Sequence, residues 1–252
     1  MGVGHSAVCG YDVRMNPELN FTIRRAGQRG HANHGWLDSW HTFSFADYYD
    51  PKHMGFRSLR VINDDRIAGG GGFPSHPHRD MEIFSYLLAG RLAHKDSMGN
   101  SRVLMPGEIQ LMRAGSGVLH SEFNPSATEP AHLLQIWIQP NQKGLKPFYT
   151  EWTPTQGQEH EPKTLVISSD GRDGSASIAQ DASIYLLKLQ PGIRTAHQLL
   201  DGRGLWLHVA KGSINLNGVL LEAGDAASLE SPGDIEITGA AGDAEAILFD
   251  LN

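Results

Sequence analysis

The chain has 252 residues, of which 40% are hydrophobic and 19% charged, and its formal net charge at pH 7 is -7. This acidic balance offers no basic surface for a phosphate backbone, so we expect no direct nucleic-acid partner. No apolar run approaches the roughly 20 residues of a membrane-spanning helix, so we expect no membrane partner. The single cysteine excludes an intrachain disulfide and a thiolate-rich metal site, which favours a reducing compartment, by default the cytoplasm.

The first twenty residues lack both a basic start and a continuous apolar segment, so they make a poor signal peptide. We expect residues 1–20 to form a weakly ordered extension.

Short apolar runs bounded by turn residues recur along the rest of the chain, whereas apolar patterns of helical period are scarce. Glycine, with 29 residues, is abundant enough to supply many tight turns. The pattern predicts an all-β protein. Its predicted strands cover residues 81–88, 91–95, 109–112, 118–124, 132–138, 184–189, 205–210, 213–216, 226–229, 234–238 and 244–250.

The two halves of the chain repeat the same order of strands and glycine turns. Segment 87–92, for example, resembles segment 209–214, each being a strand, a glycine turn and a strand. Self-similarity of this kind predicts two β-barrels of like topology, over residues 21–145 and 146–252, joined across the polar stretch 140–162. Chance alignment of short strand–turn units is the alternative.

Two pairs of metal-binding residue types are spaced two positions apart, His76 with His78 and His120 with Glu122. Successive side chains of a strand point to opposite faces, so each pair projects both side chains to the same side. If both segments are strands of one barrel, the four side chains converge. Three imidazoles and a carboxylate leave positions open on a five- or six-coordinate metal, as a catalytic centre requires.

The residues around these pairs resemble the two cupin motifs. The first motif is nearly complete, and its residues are Gly70, His76, His78, Glu82 and, one residue late, Gly90. The second keeps its spacings in Gly107, Gly115, His120 and Asn124. The second motif differs from the usual pattern in two ways. Arg113 replaces the usual proline, and extra residues separate Gly115 from His120.

The second half keeps the glycine turns but not the ligands. His197 follows Gly192, but the residue two positions later is Leu199, and no histidine follows Gly233 at the matching place. We therefore expect the second barrel to be a degenerate, metal-free cupin.

Three longer stretches, 31–45, 76–82 and 117–125, resemble signatures of the pirin family of bicupins, and the likeness runs from about residue 21 to the C-terminus. It is strongest to the shorter bacterial members described as quercetin 2,3-dioxygenases. The resemblance implies two cupin barrels, each a double-stranded β-helix or jelly roll. The implied metal ligands are His76, His78, His120 and Glu122. Iron(II) is the metal that the resemblance favours, although such ligands also suit nickel, copper, cobalt, manganese and zinc.

The activity that the resemblance implies is cleavage of the heterocycle of a flavonol such as quercetin by dioxygen, with release of carbon monoxide. The metal would favour the deprotonated 3-hydroxyl group, and Glu122 would be the general base. Glu82 occupies the place of a carboxylate ligand in many other cupins, but not in pirins. We therefore consider it a candidate second-shell residue, with an ordinary salt bridge as the alternative.

Two other functions remain open. Some pirins resemble transcriptional co-regulators, so the chain is alternatively a non-catalytic, redox-sensing module that acts through protein partners. A cupin isomerase of sugar phosphates would need basic residues beside the metal, and only Arg79 and Arg113 are near in sequence. The remaining histidines, such as His94, are expected to be surface or hydrogen-bonded residues. The aromatic residues of segment 36–49 are expected to pack a core, with a binding platform as the alternative.

Overall fold

The computed structural model describes residues 19–252, so most of the extension expected over residues 1–20 lies outside the described part. Leu19, at its edge, already packs against the apolar core of the second barrel. Among residues 19–252, no helix is long and apolar enough to cross a bilayer.

Strands dominate the described chain, which confirms the all-β prediction, and its only helical turns are three short 3-10 turns. The first-half strands are β1 (Thr22–Arg24), β2 (Gly30–Asn33), β3 (Leu37–His41), β4 (Leu59–Ile67), β5 (Gly72–His78), β6 (Glu82–Ala89), β7 (Leu92–Asp96), β8 (Ser101–Leu104), β9 (Ile109–Arg113), β10 (Val118–Phe123), β11 (Ala131–Ile138) and β12 (Phe148–Trp152). The second-half strands are β13 (Lys163–Ser168), β14 (Ala176–Ser177), β15 (Ala182–Leu189), β16 (Arg194–Leu199), β17 (Gly204–Lys211), β18 (Ser213–Leu216), β19 (Val219–Glu222), β20 (Ala226–Leu229), β21 (Gly233–Gly239) and β22 (Ala244–Leu251). The 3-10 turns are Ala26–Gln28, Gln158–His160 and Arg172–Gly174.

Each barrel is built from one seven-stranded and one four-stranded sheet. In the first barrel the strand orders are β12-β9-β6-β11-β4-β3-β2 and β5-β10-β7-β8. In the second they are β1-β20-β17-β22-β15-β13-β14 and β16-β21-β18-β19. The segment β9-β6-β11-β4 therefore has its counterpart in β20-β17-β22-β15, and the two small sheets correspond strand for strand. This confirms the bicupin fold.

The repeated glycine turns have a common steric cause. Gly90 and Gly212 both adopt positive φ, 78° and 71°, which side-chain-bearing residues rarely adopt. At Gly90 an added Cβ would also collide with the carbonyl oxygen of Pro130, just before β11. At Gly212 it would collide with the carbonyl oxygen of Asp243, just before β22. The same close approach in both barrels explains why the sequence repeat keeps its glycines.

Two strands cross the boundary that the sequence suggests. Strand β1 was expected in the first barrel, but it pairs with β20 of the second, Thr22 opposite Ser228. Strand β12 was expected in the second barrel, but it pairs with β9 of the first, Phe148 opposite Arg113. Strands β9 and β20 are equivalent, so each barrel covers the same open sheet edge with a strand from across the boundary. The domain limits at residues 21 and 146 stay a prediction.

The two barrels share one hydrophobic cluster. It contains Phe43 and Phe84 from the first seven-stranded sheet region and Trp206 and Phe249 from the second. The rings of Phe43 and Trp206 are 4.8 Å apart, and those of Phe84 and Phe249 are 6.4 Å apart. The barrels are therefore fixed to each other by a continuous core rather than tethered by a linker.

Candidate metal centre

Strand β10 lies between β5 and β7 and pairs antiparallel with both. His120 is opposite His76 on one side and Asp96 on the other, while Glu122 is opposite His94. Burial alternates along β10, so its inward-facing residues enter the barrel between those of the two neighbouring strands. The strand order therefore brings the two predicted pairs into one barrel.

The three predicted histidine ligands converge. The ring centroids of His76, His78 and His120 are 4.5 to 4.9 Å apart. One ring nitrogen of each lies within 4.8 Å of those of the other two. The Nδ1 of His76 is 2.8 Å from the carbonyl oxygen of Pro74, so it carries the proton and leaves the Nε2 lone pair free. This donor set fits a divalent transition metal.

Burial keeps the imidazoles of His78 and His120 neutral. Desolvation, reinforced by the charge of His76, lowers the pKa of His78 to about 4. Desolvation and the three neighbouring histidines lower the pKa of His120 to about 2. Among the described residues, none hydrogen-bonds to the buried Nδ1 of His120. At neutral pH each of these two rings therefore already has a lone pair for a metal.

Glu122 lies beside His120 at the centre of the barrel and is 2% exposed. Its carboxylate accepts hydrogen bonds from Ser85 Oγ at 3.1 Å, Gln110 Nε2 at 2.5 Å and Gln135 Nε2 at 2.7 Å. Burial raises the pKa of Glu122, and these donors and nearby histidines offset part of that rise. A buried carboxylate held by three donors has a fixed orientation and is a stronger base than an exposed one.

Potential ligands in residues 19–252 form two overlapping groups. The first is His76, His78 and His120, and the second is His94, His120 and Glu122, each with donor atoms within 4.8 Å of one another. The four predicted ligands are thus divided between groups that share His120. That all four bind one metal stays a prediction.

Sequence reasoning missed His94. Its side chain is 1% exposed, its Nε2 is 3.2 Å from Asp96 Oδ2, and its ring stacks on Tyr149 at 5.0 Å. It is hydrogen-bonded, as expected, but it also faces the candidate centre. The available signal was its spacing, because His94 and Asp96 form a third pair two positions apart on a strand.

Comparison with known proteins decides the family. The family model described as Pirin matches residues 22–138, and that of the quercetinase C-terminal cupin domain matches residues 165–251. The chain is 49% identical over 231 residues to the quercetin 2,3-dioxygenase of Escherichia coli K12, covering 91% of this chain and 97% of that protein. The chain belongs to the pirin family.

Solved structures agree with this assignment. The bacterial pirin YhhW from Escherichia coli in complex with nickel(II) matches this pirin with a TM-score of 0.87 and 47% identity. The match covers 92% of this chain and 99% of that one. A quercetin 2,3-dioxygenase from Acinetobacter baumannii, 21% identical with a TM-score of 0.69, shares the fold.

The structure places Glu82 away from the histidines. Its side chain is on the face of β6 opposite to Ser85, the face that Phe84 contributes to the shared core. Its Oε1 accepts a hydrogen bond from Arg113 Nε at 2.7 Å. The salt bridge given as the alternative is present, and a second-shell role of Glu82 stays a prediction. Its partner, Arg113, is the residue that replaces the usual proline. The salt bridge makes Arg113 less available for binding a phosphate.

In the second barrel of this pirin, His197 Nε2 is 2.9 Å from Asp250 Oδ2, and the pair is largely buried. Both groups of potential ligands found in residues 19–252 belong to the first barrel. That the second barrel binds no metal stays a prediction.

An aromatic wall separates His78 from a neighbouring cavity. Trp137 packs edge-on against His78 at 4.9 Å and against Phe45 at 5.5 Å. Beyond it lies a cavity of about 300 Å³, lined by Phe45, Tyr48, Tyr49 and Trp137 among others. Phe43, by contrast, is a core residue. Core packing is thus seen for Phe43, whereas a binding platform at the residues that line the cavity stays a prediction.

Proposed function

We propose that this pirin is a metal-dependent dioxygenase that opens the heterocycle of flavonols such as quercetin, with the metal held by His76, His78, His120 and Glu122. The observation that carries the proposal is the convergence of three imidazoles beside a buried carboxylate. Its 49% identity to a protein named quercetin 2,3-dioxygenase supplies the substrate class.

The overall reaction consumes one flavonol and one dioxygen. The two carbon–carbon bonds that flank the 3-hydroxyl carbon break, that carbon leaves as carbon monoxide, and both oxygen atoms of dioxygen enter the ring-opened depside. The metal, when bound, supplies the positive charge that favours the deprotonated 3-hydroxyl group. No further oxidant or reductant is needed.

Glu122 is the proposed general base. Its carboxylate accepts the proton of the 3-hydroxyl group and returns a proton to the product. Burial raises the pKa of Glu122 and so makes it a stronger base than an exposed carboxylate. Ser85, Gln110 and Gln135 hold the carboxylate in place, so little reorganisation accompanies proton transfer.

The histidines position the metal and transfer no proton. His76 is oriented by the carbonyl of Pro74, and His78 is braced by Trp137. A cavity of about 520 Å³ is lined by His78 and by apolar residues of β5 and β10, which suits a small aromatic substrate that must reach the metal.

Iron(II) is the proposed native metal, by family resemblance. The ligand set does not single it out, because imidazole and carboxylate also bind nickel, copper, cobalt, manganese and zinc. The solved Escherichia coli pirin is a nickel(II) complex. Anaerobic purification followed by metal analysis reads the native metal directly.

The deciding experiment uses apoprotein reloaded separately with iron(II), nickel(II) and copper(II). Each form is given quercetin and dioxygen, and carbon monoxide and the depside are measured by gas analysis and mass spectrometry. Turnover by at least one form supports the proposal. Full metal occupancy without turnover by any form contradicts it and favours the regulatory module that acts through protein partners.

A further inference from the structure

Strand β7 carries a ligand-type pair that the proposed function does not use. His94 and Asp96 both face the barrel interior, opposite Glu122 and His120 of β10. On the other side of β10, His120 is opposite His76. His120 therefore has a potential ligand on each side, whereas Glu122 has His94 on the β7 side only.

Asp96 fixes the proton of His94. Its Oδ1 accepts the backbone N–H groups of Met98 and Asn100 at 2.9 and 3.0 Å, and its Oδ2 accepts the Asn100 side chain at 2.8 Å. An aspartate held by these donors is a hydrogen-bond acceptor for His94, so the Nε2 of that ring, 3.2 Å away, carries the proton. The Nδ1 of His94 then has a free lone pair. Metal-binding histidines commonly have this arrangement, in which the second ring nitrogen donates to a carboxylate.

The Nδ1 of His94 is buried and has no hydrogen-bond partner among the described residues. Burying a polar atom without a hydrogen-bond partner costs free energy, and a bound metal ion would remove that cost. Stacking on Tyr149 holds the ring in place. One ring nitrogen of His94 lies within 4.8 Å of donor atoms of both His120 and Glu122.

We propose that His94, His120 and Glu122 form an inner binding position for a divalent transition metal, distinct from the outer position at His76, His78 and His120. Two imidazoles and one carboxylate are a ligand set that such metals use. A neutral imidazole has one lone pair, so His120 serves one position at a time and the two together hold one ion. This inference rests on the proposed function in one respect, the class of metal. Glu122 is a metal ligand in both proposals.

Cobalt(II) is a suitable probe because its visible absorption reports the ligands around it. The test compares the full-length parent with the variant His76→Ala/His78→Ala, which removes two outer ligands, and with the same variant carrying His94→Ala. Cobalt is titrated by absorption and by equilibrium dialysis, and circular dichroism checks folding. We expect the double variant to retain one weakly bound cobalt per chain, with an altered spectrum. Adding His94→Ala should weaken this binding by at least about tenfold.

The matched control adds His197→Ala to the double variant, because His197 also forms a buried pair with an aspartate, Asp250, but in the second barrel. Residual cobalt binding should not change there. If His94→Ala prevents folding, His94→Gln is used in its place, because it preserves most of the side-chain volume. A folded double variant that binds no cobalt overturns the inner position, and so does unchanged binding after His94 is replaced. Since no flavonol is used, a failure of the dioxygenase proposal is seen separately, as absence of turnover.

Discussion

The Nε2 atoms of His76 and His120 lie 3.0 Å apart across the paired strands β5 and β10. The Nε2 of His76 carries a lone pair, because its Nδ1 bonds to the carbonyl of Pro74. Without a metal, His120 can satisfy that lone pair by donating its own Nε2 proton. Two of the nitrogens that would hold a metal ion are thus already adjacent.

Replacing His120 should affect metal binding more than replacing any other histidine, because it belongs to both groups of ligands. For His120→Ala we expect affinity for nickel or cobalt to fall by at least about a hundredfold, whereas His76→Ala loses tight binding but keeps a weaker inner position. Equilibrium dialysis with metal analysis measures both. Equal, stoichiometric metal in the two variants and the parent would be incompatible with the assignment.

Glu122→Gln should separate chemistry from metal binding. The amide keeps the size of the side chain but accepts no proton, so we expect turnover to fall by about 10²- to 10⁴-fold. The measurement is quercetin consumption per bound metal, which corrects for any loss of the ion. Glu82→Gln is the control, because Glu82 bonds to Arg113 and faces the shared core. Turnover per metal within about twofold of the parent in Glu122→Gln would remove Glu122 as the base.

The Glu82–Arg113 pair should matter for stability rather than for catalysis. Glu82 is fully buried, and burial raises its pKa, with Arg113 opposing that rise. Arg113→Ala leaves the carboxylate without its charged partner, so we expect a loss of about 3 kcal/mol in the free energy of unfolding. Urea denaturation of metal-free protein measures it. A change below about 0.5 kcal/mol would mean that the pair contributes little.

Acid should weaken the fold through Asp64. Burial alone would raise its pKa, but His132, Arg29 and Arg66 outweigh that effect and lower the pKa to about 2. Because the folded-state pKa lies below the usual 3.8, the stabilisation is complete above about pH 5 and is lost as the pH falls towards 2. Its size is about 2 kcal/mol.

Asp64→Asn should therefore be less stable than the parent at pH 6, with the difference shrinking towards pH 2.5. Chemical denaturation of both proteins across this range measures the difference. A difference independent of pH would exclude Asp64 as a source of acid sensitivity.

The sequence predicts the elements that have a strong local pattern. The two pairs of ligands and the repeated glycine turns are visible because strand periodicity and positive φ restrict the residue types allowed. Strand β4 is missed because its inward-facing Asn63 and Asp65 are buried polar residues, so the segment lacks an apolar pattern. The exchange of β1 and β12 is missed because an edge strand's own residues do not specify which sheet it joins.

The sequence names candidate ligands but not their arrangement. Spacing along β5 and β10 identifies which side chains share a face, but not which neighbouring strand faces them. His94 joins the cluster through the pairing of β7 with β10, a long-range contact. The salt bridge of Glu82 likewise depends on a pairing that spacing does not give, that of β6 with β9, which places Arg113 opposite it.

Carbon monoxide release is the most direct test of the central claim that the first barrel is a flavonol dioxygenase centre. Metal-loaded parent protein and His120→Ala are each given quercetin and dioxygen, and carbon monoxide is measured against quercetin loss. We predict that the parent releases carbon monoxide in step with quercetin loss and that His120→Ala releases none above the protein-free reaction. A fully metal-loaded parent that releases none, or equal release from the two proteins, would contradict the account.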